Sequence, residues 1–258
     1  MASGLITVPG FAGGKEGVWH FFGTRHQPDN FCNRVLAQRQ SPAIVVSVKQ
    51  VHGTDALILD RPVEAGTVFP GGWDALITNQ PGVLLTVRTA DCVPVLLNDP
   101  IRKVVAAVHA GWRGMVAGII PKTISLLQKH FNSDPESMRI AIGPSAGPCC
   151  YEVDEQVLKP LRTGYPYWRS VLRETGRTKA LLDLKELIRH QAQTAGLNGE
   201  ALWTVNVCTI CHPALFYSYR REGVVKKTMV SGIMLTRGTT RGHYRRVRAT
   251  RPIDGRVR

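Results

Sequence analysis

Residues Gly82–Gly114 read GVLLTVRTADCVPVLLNDPIRKVVAAVHAGWRG. Three short runs in this stretch are apolar and rich in β-branched side chains, and polar or turn residues bound each run. Runs of this length between turn residues are typical of buried strands rather than of helices. We therefore predict buried strands at Val83–Val87, Val93–Leu97 and Val104–Val108.

The polar residues that follow these strands are candidates for a functional site. Cys92 follows the first predicted strand, His109 follows the third, and His52 follows a further apolar run at Ala43–Val48. Two imidazoles and one thiolate suit a zinc ion, and three protein ligands leave a fourth position for water or substrate. Spacing alone leaves a second interpretation open, in which each histidine caps a strand end and Cys92 is a small buried apolar residue.

Five motifs spread along the chain carry a family resemblance. They read KQVHGTD, TADCVPVLLND, VAAVHAGWRG, IGPSAGPCCYEV and CTICHPALFYSYRREG. In this order they resemble the YfiH family, which was first named as laccase-type multicopper polyphenol oxidases and later described as purine nucleoside phosphorylases. The resemblance runs from about Val18 to Leu235. It implies that His52, Cys92 and His109 are both the catalytic residues and the metal ligands, with zinc as the metal and copper as the alternative.

The resemblance also implies an activity and its substrates. The expected reaction is phosphorolysis of adenosine, inosine and methylthioadenosine, with adenosine deamination as a companion activity, so the partners are a purine nucleoside and phosphate. Arg113, with Arg88, is the candidate phosphate clamp because a guanidinium group binds anions through paired hydrogen bonds. Arg113 could equally be a structural arginine packed against Trp112. Arg25 and Gln50 are the remaining candidate substrate-binding residues.

Two other functions would use the same residues. With Cys92 as thiolate nucleophile and His109 as base, the chain would be a Cys–His hydrolase, in keeping with an amidase that acts in peptidoglycan precursor editing, a role described for a relative. The other alternative is a copper-dependent polyphenol oxidase. Electron transfer through several coppers needs clustered histidines, and only two of the eight histidines belong to the predicted site. A requirement for His52 distinguishes the metal enzyme from the hydrolase.

Several other residues have more than one interpretation. Asp74 matches the family's aspartate at this place or caps the following strand, and Tyr219 and Arg220 either line a pocket or pack in the core with the arginine snorkelling to solvent. Cys149–Cys150 is interpreted as structural. Cys208–His212 reads CTICH, which in isolation is a c-type haem attachment motif. We reject haem because the flanking sequence resembles a family that does not carry it.

Apolar strands alternate along the chain with stretches of helical spacing. The helical stretches are Gly114–Phe131, Val153–Arg162 and Asp183–Ala195. Together with the resemblance, this alternation predicts an α/β (mixed α+β) fold, a layered sandwich of mixed β-sheets flanked by helices. We expect a single catalytic domain at residues 1–236, followed by a flexible basic tail at residues 237–258.

Charge is concentrated in that tail. The 258 residues carry a formal net charge of +14, and residues 237–258 hold eight arginines and one aspartate, a net +7. We expect a solvated extension, with nucleic-acid binding through the tail as the alternative. No stretch approaches the roughly 20 apolar residues of a membrane span, and the N-terminus lacks the pattern of a secretory signal. We therefore expect a cytoplasmic protein that does not contact a membrane.

Overall fold

The computed structural model describes residues 4–12, 17–38 and 43–236, so the predicted basic tail at residues 237–258 lies outside the described residues. The strands, in chain order, are β1 (Leu5–Ile6), β2 (Val18–Gly23), β3 (Ile44–Val46), β4 (Ala56–Leu59), β5 (Ala75–Thr78), β6 (Val83–Thr89), β7 (Val93–Asp99), β8 (Val104–Ala110), β9 (Arg139–Ile142), β10 (Glu152–Asp154), β11 (Leu172–Glu174), β12 (Lys179–Leu182), β13 (Leu202–Thr204) and β14 (Met229–Leu235). The helices are α1 (Pro9–Ala12), α2 (Phe31–Gln38), α3 (Trp112–Val116), α4 (Ile119–Phe131), α5 (Glu155–Gly164), α6 (Leu184–Thr194) and α7 (Tyr219–Glu222). None of these described helices has the length and apolar character needed to span a membrane.

The strands form three sheets. A five-stranded sheet has the order β1-β2-β14-β6-β3, and a six-stranded sheet has the order β13-β9-β7-β8-β5-β4. Each of these sheets is mixed, because β3–β6, β13–β9 and β4–β5 are parallel pairs and the other pairs are antiparallel. A small antiparallel sheet has the order β10-β12-β11.

The central strands are apolar on both faces because both faces are covered. In β8, Val104, Ala106 and Val108 point into one core, while Val105 and Ala107 point into another. Successive side chains of a strand point to opposite faces of the sheet, so a strand buried on both sides reads as a continuous apolar run. This explains why the run at Val104–Val108 shows no polar alternation.

The layers follow from these cores. One core lies between the two large sheets and contains Phe22 and Leu85 from the five-stranded sheet and Leu96 from the six-stranded sheet. The other face of the six-stranded sheet packs against the apolar sides of α4, α5 and α6, and the outer face of the five-stranded sheet packs against α2. The predicted layered sandwich of mixed sheets flanked by helices is confirmed.

All three strands predicted in the opening stretch are present, and each extends two residues beyond its apolar run. The helix predicted at Gly114–Phe131 is two helices instead. The helical conformation is interrupted at Gly118, which has a left-handed φ of 84° and directly precedes α4. Pro121 lies in the first turn of α4, where its missing N–H has no helical partner to lose. The helix predicted at Val153–Arg162 begins only at Glu155, because Glu152–Asp154 pairs with β12.

The chain crosses from the five-stranded to the six-stranded sheet at two neighbouring loops. One loop joins β3 to β4 and carries His52, and the other joins β6 to β7 and carries Cys92. His109 lies near the end of β8, opposite Pro94 at the start of β7. The fold therefore brings the three predicted metal ligands to one rim of the sandwich.

Candidate active site

His52, Cys92 and His109 form one cluster. A ligand atom from each of the three lies within 4.8 Å of the others. The Sγ atom of Cys92 is 3.8 Å from Nε2 of His52, and the two imidazole rings meet edge to face with centroids 4.7 Å apart. His109 is buried, Cys92 is half-buried and His52 is exposed, so the cluster is open to solvent on the His52 side.

Asp74 holds two of the three cluster residues in place through hydrogen bonds. Its Oδ1 accepts a hydrogen bond from Nδ1–H of His109 at 2.7 Å, which leaves Nε2 of that ring to face Cys92. The same carboxylate accepts the backbone N–H groups of Val51, His52 and Gly53 at 3.2, 3.0 and 2.7 Å. These bonds hold the loop that carries His52, whose φ is 60°, a conformation that is uncommon for residues other than glycine.

The absence of a side chain at two glycines makes room for the cluster. A Cβ atom at Gly111 would lie 2.8 Å from Cδ2 of His52 and 3.3 Å from Sγ of Cys92. A Cβ atom at Gly114, in α3, would lie 2.6 Å from the carbonyl oxygen of Gly53. The AGWRG sequence after His109 therefore lets α3 approach the His52 loop and leaves the space between the three ligands free.

The ionisable groups of the cluster shift one another's pKa values. Burial raises the pKa of Cys92, but hydrogen bonds and charge interactions with His109 and His52 outweigh it and bring the pKa to about 7. Burial lowers the pKa of His109, yet its contacts with Asp74 and Cys92 raise it to about 9. Burial raises the pKa of Asp74, and the bonds from His109 and the loop amides bring it below its usual value. The cluster thus stabilises a thiolate beside a cation.

This arrangement fits a divalent metal ion. The donor set is two imidazole nitrogens and one thiolate, which suits zinc and also copper. The bond from Nδ1–H of His109 to Asp74 is the outer contact that commonly orients a metal-binding histidine. Gly111 keeps free the space in which a side chain would otherwise touch His52 and Cys92.

A cavity of about 660 Å³ opens beside the cluster. His52, Cys92 and His109 form part of its wall, and the other lining residues include Gln50, Arg88, Trp112, Arg113, Tyr151, Leu184, Tyr219 and Arg220. The three arginines carry positive charge, and the aromatic rings supply flat apolar surface. The volume lies in the range typical of small-molecule sites.

The residues predicted to bind phosphate or substrate have different environments. Arg113 and Arg88 are both exposed and line the cavity, and the guanidinium of Arg113 lies 4.5 Å from the ring centroid of Trp112. The stacking interpretation of Arg113 and the anion-binding one are therefore compatible. Gln50 also lines the cavity, but its amide exchanges two 2.8 Å hydrogen bonds with the backbone of Arg88. The side chain of Gln50 thus pairs with the backbone of β6 as a neighbouring strand would, and it holds Arg88 in position.

Arg25 does not line this cavity. Its guanidinium donates to the carbonyl oxygen of Pro213 and lies 4.8 Å from the ring centroid of Tyr217. Its backbone N–H donates to the carbonyl oxygen of Leu215 at 2.8 Å. The structure therefore places Arg25 as a support for the segment that precedes α7, apart from Arg88 and Arg113.

Asp91 is a buried site residue that the sequence interpretation missed. Its carboxylate accepts hydrogen bonds from the hydroxyls of Thr209 and Ser218 at 2.6 and 2.9 Å and from the backbone N–H of Arg220 at 2.7 Å. Asp91 also has a positive φ of 90°. It therefore ties the loop of Cys92 to the segment before α7. Its place next to Cys92 in the TADC motif was the available signal.

Tyr151 and Arg220 form a second part of the cavity wall. The guanidinium of Arg220 lies 4.8 Å from the ring centroid of Tyr151 and donates to the carbonyl oxygen of Glu152 at 2.6 Å. Burial raises the pKa of Tyr151 to about 12, so its hydroxyl stays neutral. Of the two interpretations of Arg220, the structure favours pocket lining. Arg221 is the structural arginine, and it donates to the carbonyl oxygens of Thr209, Ile210 and Phe216.

The fold and the site define a layered α/β protein with a His–Cys–His cluster at the mouth of a basic cavity. Residues 28–236 match the model of the multi-copper polyphenol oxidoreductase laccase family, and the chain belongs to this family. The resemblance seen in the motifs is therefore confirmed.

The relatives and solved structures agree with this assignment. Purine nucleoside phosphorylase YlmD of Geobacillus stearothermophilus is 38% identical over 184 residues, which cover 69% of this chain and 67% of the relative. A purine nucleoside phosphorylase of Bacteroides thetaiotaomicron is 36% identical over 76% of this chain and 75% of its own length. The crystal structure of the Geobacillus YlmD superposes with a TM-score of 0.82 at 30% identity, covering 92% of this chain and 98% of that one. The similarity to relatives with this name supports an enzyme of the same kind.

Proposed function

We propose that the protein is a zinc-dependent purine nucleoside phosphorylase that acts on adenosine, inosine and methylthioadenosine, with adenosine deamination as a side activity. The observation that carries the proposal is the position of the His52–Cys92–His109 cluster at the wall of a cavity that also presents Arg88 and Arg113. The names of the relatives support the reaction class.

Zinc would be held by His52, Cys92 and His109. When bound, such an ion supplies Lewis-acid chemistry, which polarises an oxygen atom or lowers the pKa of a water molecule. Asp74 fixes the ring of His109 and, through three backbone N–H groups, the loop of His52. Asp74 thus orients the ring of His109 and holds the backbone of His52 in place before any substrate binds.

The cavity residues would bind the two substrates. Arg113 and Arg88 are exposed guanidinium groups that can neutralise a phosphate ion. Trp112 and Tyr151 offer aromatic surface on which a purine can stack. In phosphorolysis an oxygen of hydrogen phosphate forms a bond to C1′ of the ribose while the bond from C1′ to the purine nitrogen breaks, and the departing base takes up the proton that the phosphate loses. In the deamination, water replaces the amino group of adenosine and ammonia leaves.

The direct test is a turnover assay on protein with a measured metal content. Adenosine, inosine and methylthioadenosine are incubated with and without phosphate, and free base, ribose 1-phosphate and inosine are quantified. We expect phosphate-dependent release of free base in proportion to the zinc bound at the His52 cluster, and loss of both activities in His52→Ala. His130→Ala, at an exposed histidine near the end of α4, is the matched control and should keep full activity. Wild-type protein that holds zinc at the His52 cluster, measured as the zinc that His52→Ala lacks, yet releases no base would contradict the proposal.

A second variant tests the phosphate site separately. Arg113→Gln should raise the KM for phosphate about tenfold or more, because one charge-assisted hydrogen bond contributes about 1.5 kcal/mol or more. The KM for nucleoside should change less. Arg173→Gln removes an exposed arginine from β11 and should leave both constants unchanged. An unchanged KM for phosphate in Arg113→Gln would show that phosphate binds elsewhere in the cavity.

A Cys–His hydrolase is the second candidate, and one observation favours it. His109 lies between Asp74, at 2.7 Å, and Cys92, an arrangement that resembles a nucleophile–base–orienting group triad. An amidase of this kind would need Cys92, His109 and Asp74 but not His52. If metal-free His52→Ala protein hydrolysed an amide substrate as fast as wild type, and if its Cys92 were rapidly alkylated, the protein would be a Cys–His hydrolase and not a phosphorylase.

A copper-dependent polyphenol oxidase finds less support in the geometry. In the part of the chain that the structure describes, the two clusters with metal-ligating spacing contain only two histidines between them. Electron transfer through several coppers draws on larger histidine sets. Copper bound singly at His52, Cys92 and His109 remains compatible with the donor atoms, and the metal measurement in the turnover assay distinguishes it from zinc.

A further inference from the structure

A second cluster of metal-ligating side chains begins next to Tyr151 in the chain. Cys149 and Cys150 follow β9, Cys208 and Cys211 follow β13, and the four sulfur atoms lie within 4.8 Å of one another. The Sγ atom of Cys211 is 3.4 Å from that of Cys149 and 3.1 Å from that of Cys150. All four are free thiols.

The backbone brings the two pairs of cysteines together. β9 and β13 run parallel, and the pairing continues past their ends as a bridge between Ser145 and Cys208. The N–H of Thr209 donates to the carbonyl oxygen of Ser145 at 2.9 Å. A Cβ atom on Gly147 would lie 3.1 Å from Cβ of Cys208 and 3.4 Å from Sγ of Cys149. The missing side chain therefore allows the two loops to approach closely.

The surroundings of the cluster stabilise negative charge at one of its four sulfur atoms, that of Cys208. The backbone N–H of Gly147 donates to Sγ of Cys208 at 3.3 Å, a type of bond that favours a thiolate. The ammonium of Lys185, a buried side chain, interacts electrostatically with Cys208 and Cys149. The guanidinium of Arg221 donates to the carbonyl oxygens of Thr209 and Ile210 inside the Cys-x-x-Cys loop. Two cationic side chains thus contact the backbone around Cys208, Lys185 at the carbonyl oxygen of Val207 and Arg221 at those of Thr209 and Ile210.

We propose that Cys149, Cys150, Cys208 and Cys211 form a structural metal site, separate from the His52 cluster, for a thiophilic divalent cation, above all zinc. Zinc–thiolate bonds are about 2.3 Å long, so the sulfur atoms of a tetrahedral site are about 3.8 Å apart. The sulfur separations in the cluster, from 3.1 to at most 4.8 Å, bracket that value. Four thiolates complete a tetrahedral shell, and the ion would therefore be closed to substrate.

An ion at this position would connect two segments that line the cavity. Cys150 directly precedes Tyr151, and Thr209 lies within the Cys-x-x-Cys loop and donates to Asp91 at 2.6 Å. An ion bound by both loops would fix the Tyr151 side of the cavity to the segment that leads to Arg220. It would join the two loops without a disulfide, in keeping with the four free thiols.

The test is a metal count on protein purified with a thiol reductant. We expect two zinc ions per wild-type chain, and one in Cys208→Ser, in Cys211→Ser and in His52→Ala. Cys32→Ser, at a cysteine in α2, is the matched control and should retain two. A wild-type chain that never holds more than one zinc, with that zinc lost in His52→Ala and kept in Cys211→Ser, would overturn the proposal.

Cobalt spectroscopy tests the ligands without relying on the folding of a cysteine variant. His52→Ala protein loaded with Co²⁺ should show the intense visible and near-ultraviolet bands of a tetrahedral cobalt tetrathiolate, because its four-cysteine cluster is unchanged. The bands should be absent from Cys211→Ser in the same background. Absence of these bands from the His52→Ala protein would overturn the proposal, as would a Cys150–Cys211 disulfide found by peptide mapping of reductant-purified protein.

Discussion

The carboxylate of Asp74 receives four hydrogen bonds, one from His109 and three from the loop of His52. In Asp74→Asn one carboxylate oxygen becomes an NH₂ group, which would face N–H donors instead of accepting from them. We expect zinc affinity at the His52 cluster to fall about 10- to 100-fold, as is common when the outer partner of a metal-binding histidine is lost. A competition titration with a chromophoric chelator measures this change.

Asp55→Asn is the control for that variant. Asp55 forms an exposed ion pair with Lys122, with 69% of its side chain accessible, and such pairs contribute only about 0–1 kcal/mol. Zinc affinity and thermal stability should therefore stay close to wild type. Equal zinc affinities in Asp74→Asn and Asp55→Asn would show that Asp74 serves the fold and not the metal ligands.

His20 makes stability depend on pH. It is buried, its Nε2 accepts the N–H of Val8 at 2.9 Å, and burial lowers its pKa from 6.5 to about 4. The unfolded chain binds a proton at this residue more readily, so stability is complete above about pH 6.5 and falls as the pH decreases toward 4. Between about pH 7.5 and about pH 5 the loss should be about 2 kcal/mol.

His20→Gln isolates this contribution because a glutamine oxygen can accept the Val8 N–H without titrating. Urea unfolding at the two pH values, compared between wild type and variant, measures the difference. The variant should lose about 2 kcal/mol less than wild type over the same interval. If both proteins lose equal stability, His20 is protonated in the folded state and the proposed origin is wrong.

The sequence was most informative about residues that lie in the motifs. His52, Cys92 and His109 come together as predicted because His52 and Cys92 lie in loops that follow strands and His109 lies near the end of β8, all at the same rim. Arg25 and Gln50 show the limit of that approach. A motif places a residue near a site, but which backbone groups its side chain contacts depends on segments far away, Pro213 for Arg25 and Arg88 for Gln50.

At the scale of elements, the contact between α3 and the His52 loop leaves no room for a side chain at Gly114. In Gly114→Ala the new Cβ would lie 2.6 Å from the carbonyl oxygen of Gly53, so the helix and the loop must separate. Overpacking of this kind costs about 1–3 kcal/mol, and the displacement moves His52. We expect a lower Tm and a reduced zinc content at the His52 cluster.

Gly164→Ala is the matched control, since a Cβ at the end of α5 has open space around it. Its Tm and zinc content should equal those of wild type. Normal zinc content in Gly114→Ala would show that the loop of His52 adapts to the helix without moving its ligand atom.

Element boundaries were harder to predict than the elements themselves. Apolar spacing runs without interruption from Val116 through Ile119 and Ile120, so periodicity alone predicts one helix. The break depends on the left-handed conformation of Gly118. The four-cysteine cluster was likewise hidden, because its two pairs are about 60 residues apart and meet through the parallel pairing of β9 with β13. No local pattern encodes that pairing.

At the scale of the whole molecule, the basic tail can be separated from the cavity by truncation. The lining residues of the cavity all lie between Val48 and Thr228, so removing residues 237–258 should leave nucleoside turnover unchanged. It should lower the formal net charge from +14 to +7. Reduced turnover in the truncated chain would show that the tail contributes to the catalytic unit at residues 1–236.

A DNA-binding measurement on both chains tests the second interpretation of the tail. We expect no binding by either chain at moderate salt, as for a solvated extension. Salt-dependent binding by the full chain that disappears on truncation would establish an electrostatic contact with a polyanion instead.

The position of β14 has a consequence for how the protein is made. This strand pairs with β2 on one side and β6 on the other, and Gly232 lies opposite both Phe21 and Thr86. Contacts between such distant parts of the chain form slowly because long loops must close first. During translation, the edges of β2 and β6 that pair with β14 stay unpaired until Leu235 has left the ribosome. Unpaired strand edges promote aggregation. A nascent chain that stalls before Met229 is therefore a natural client for chaperones.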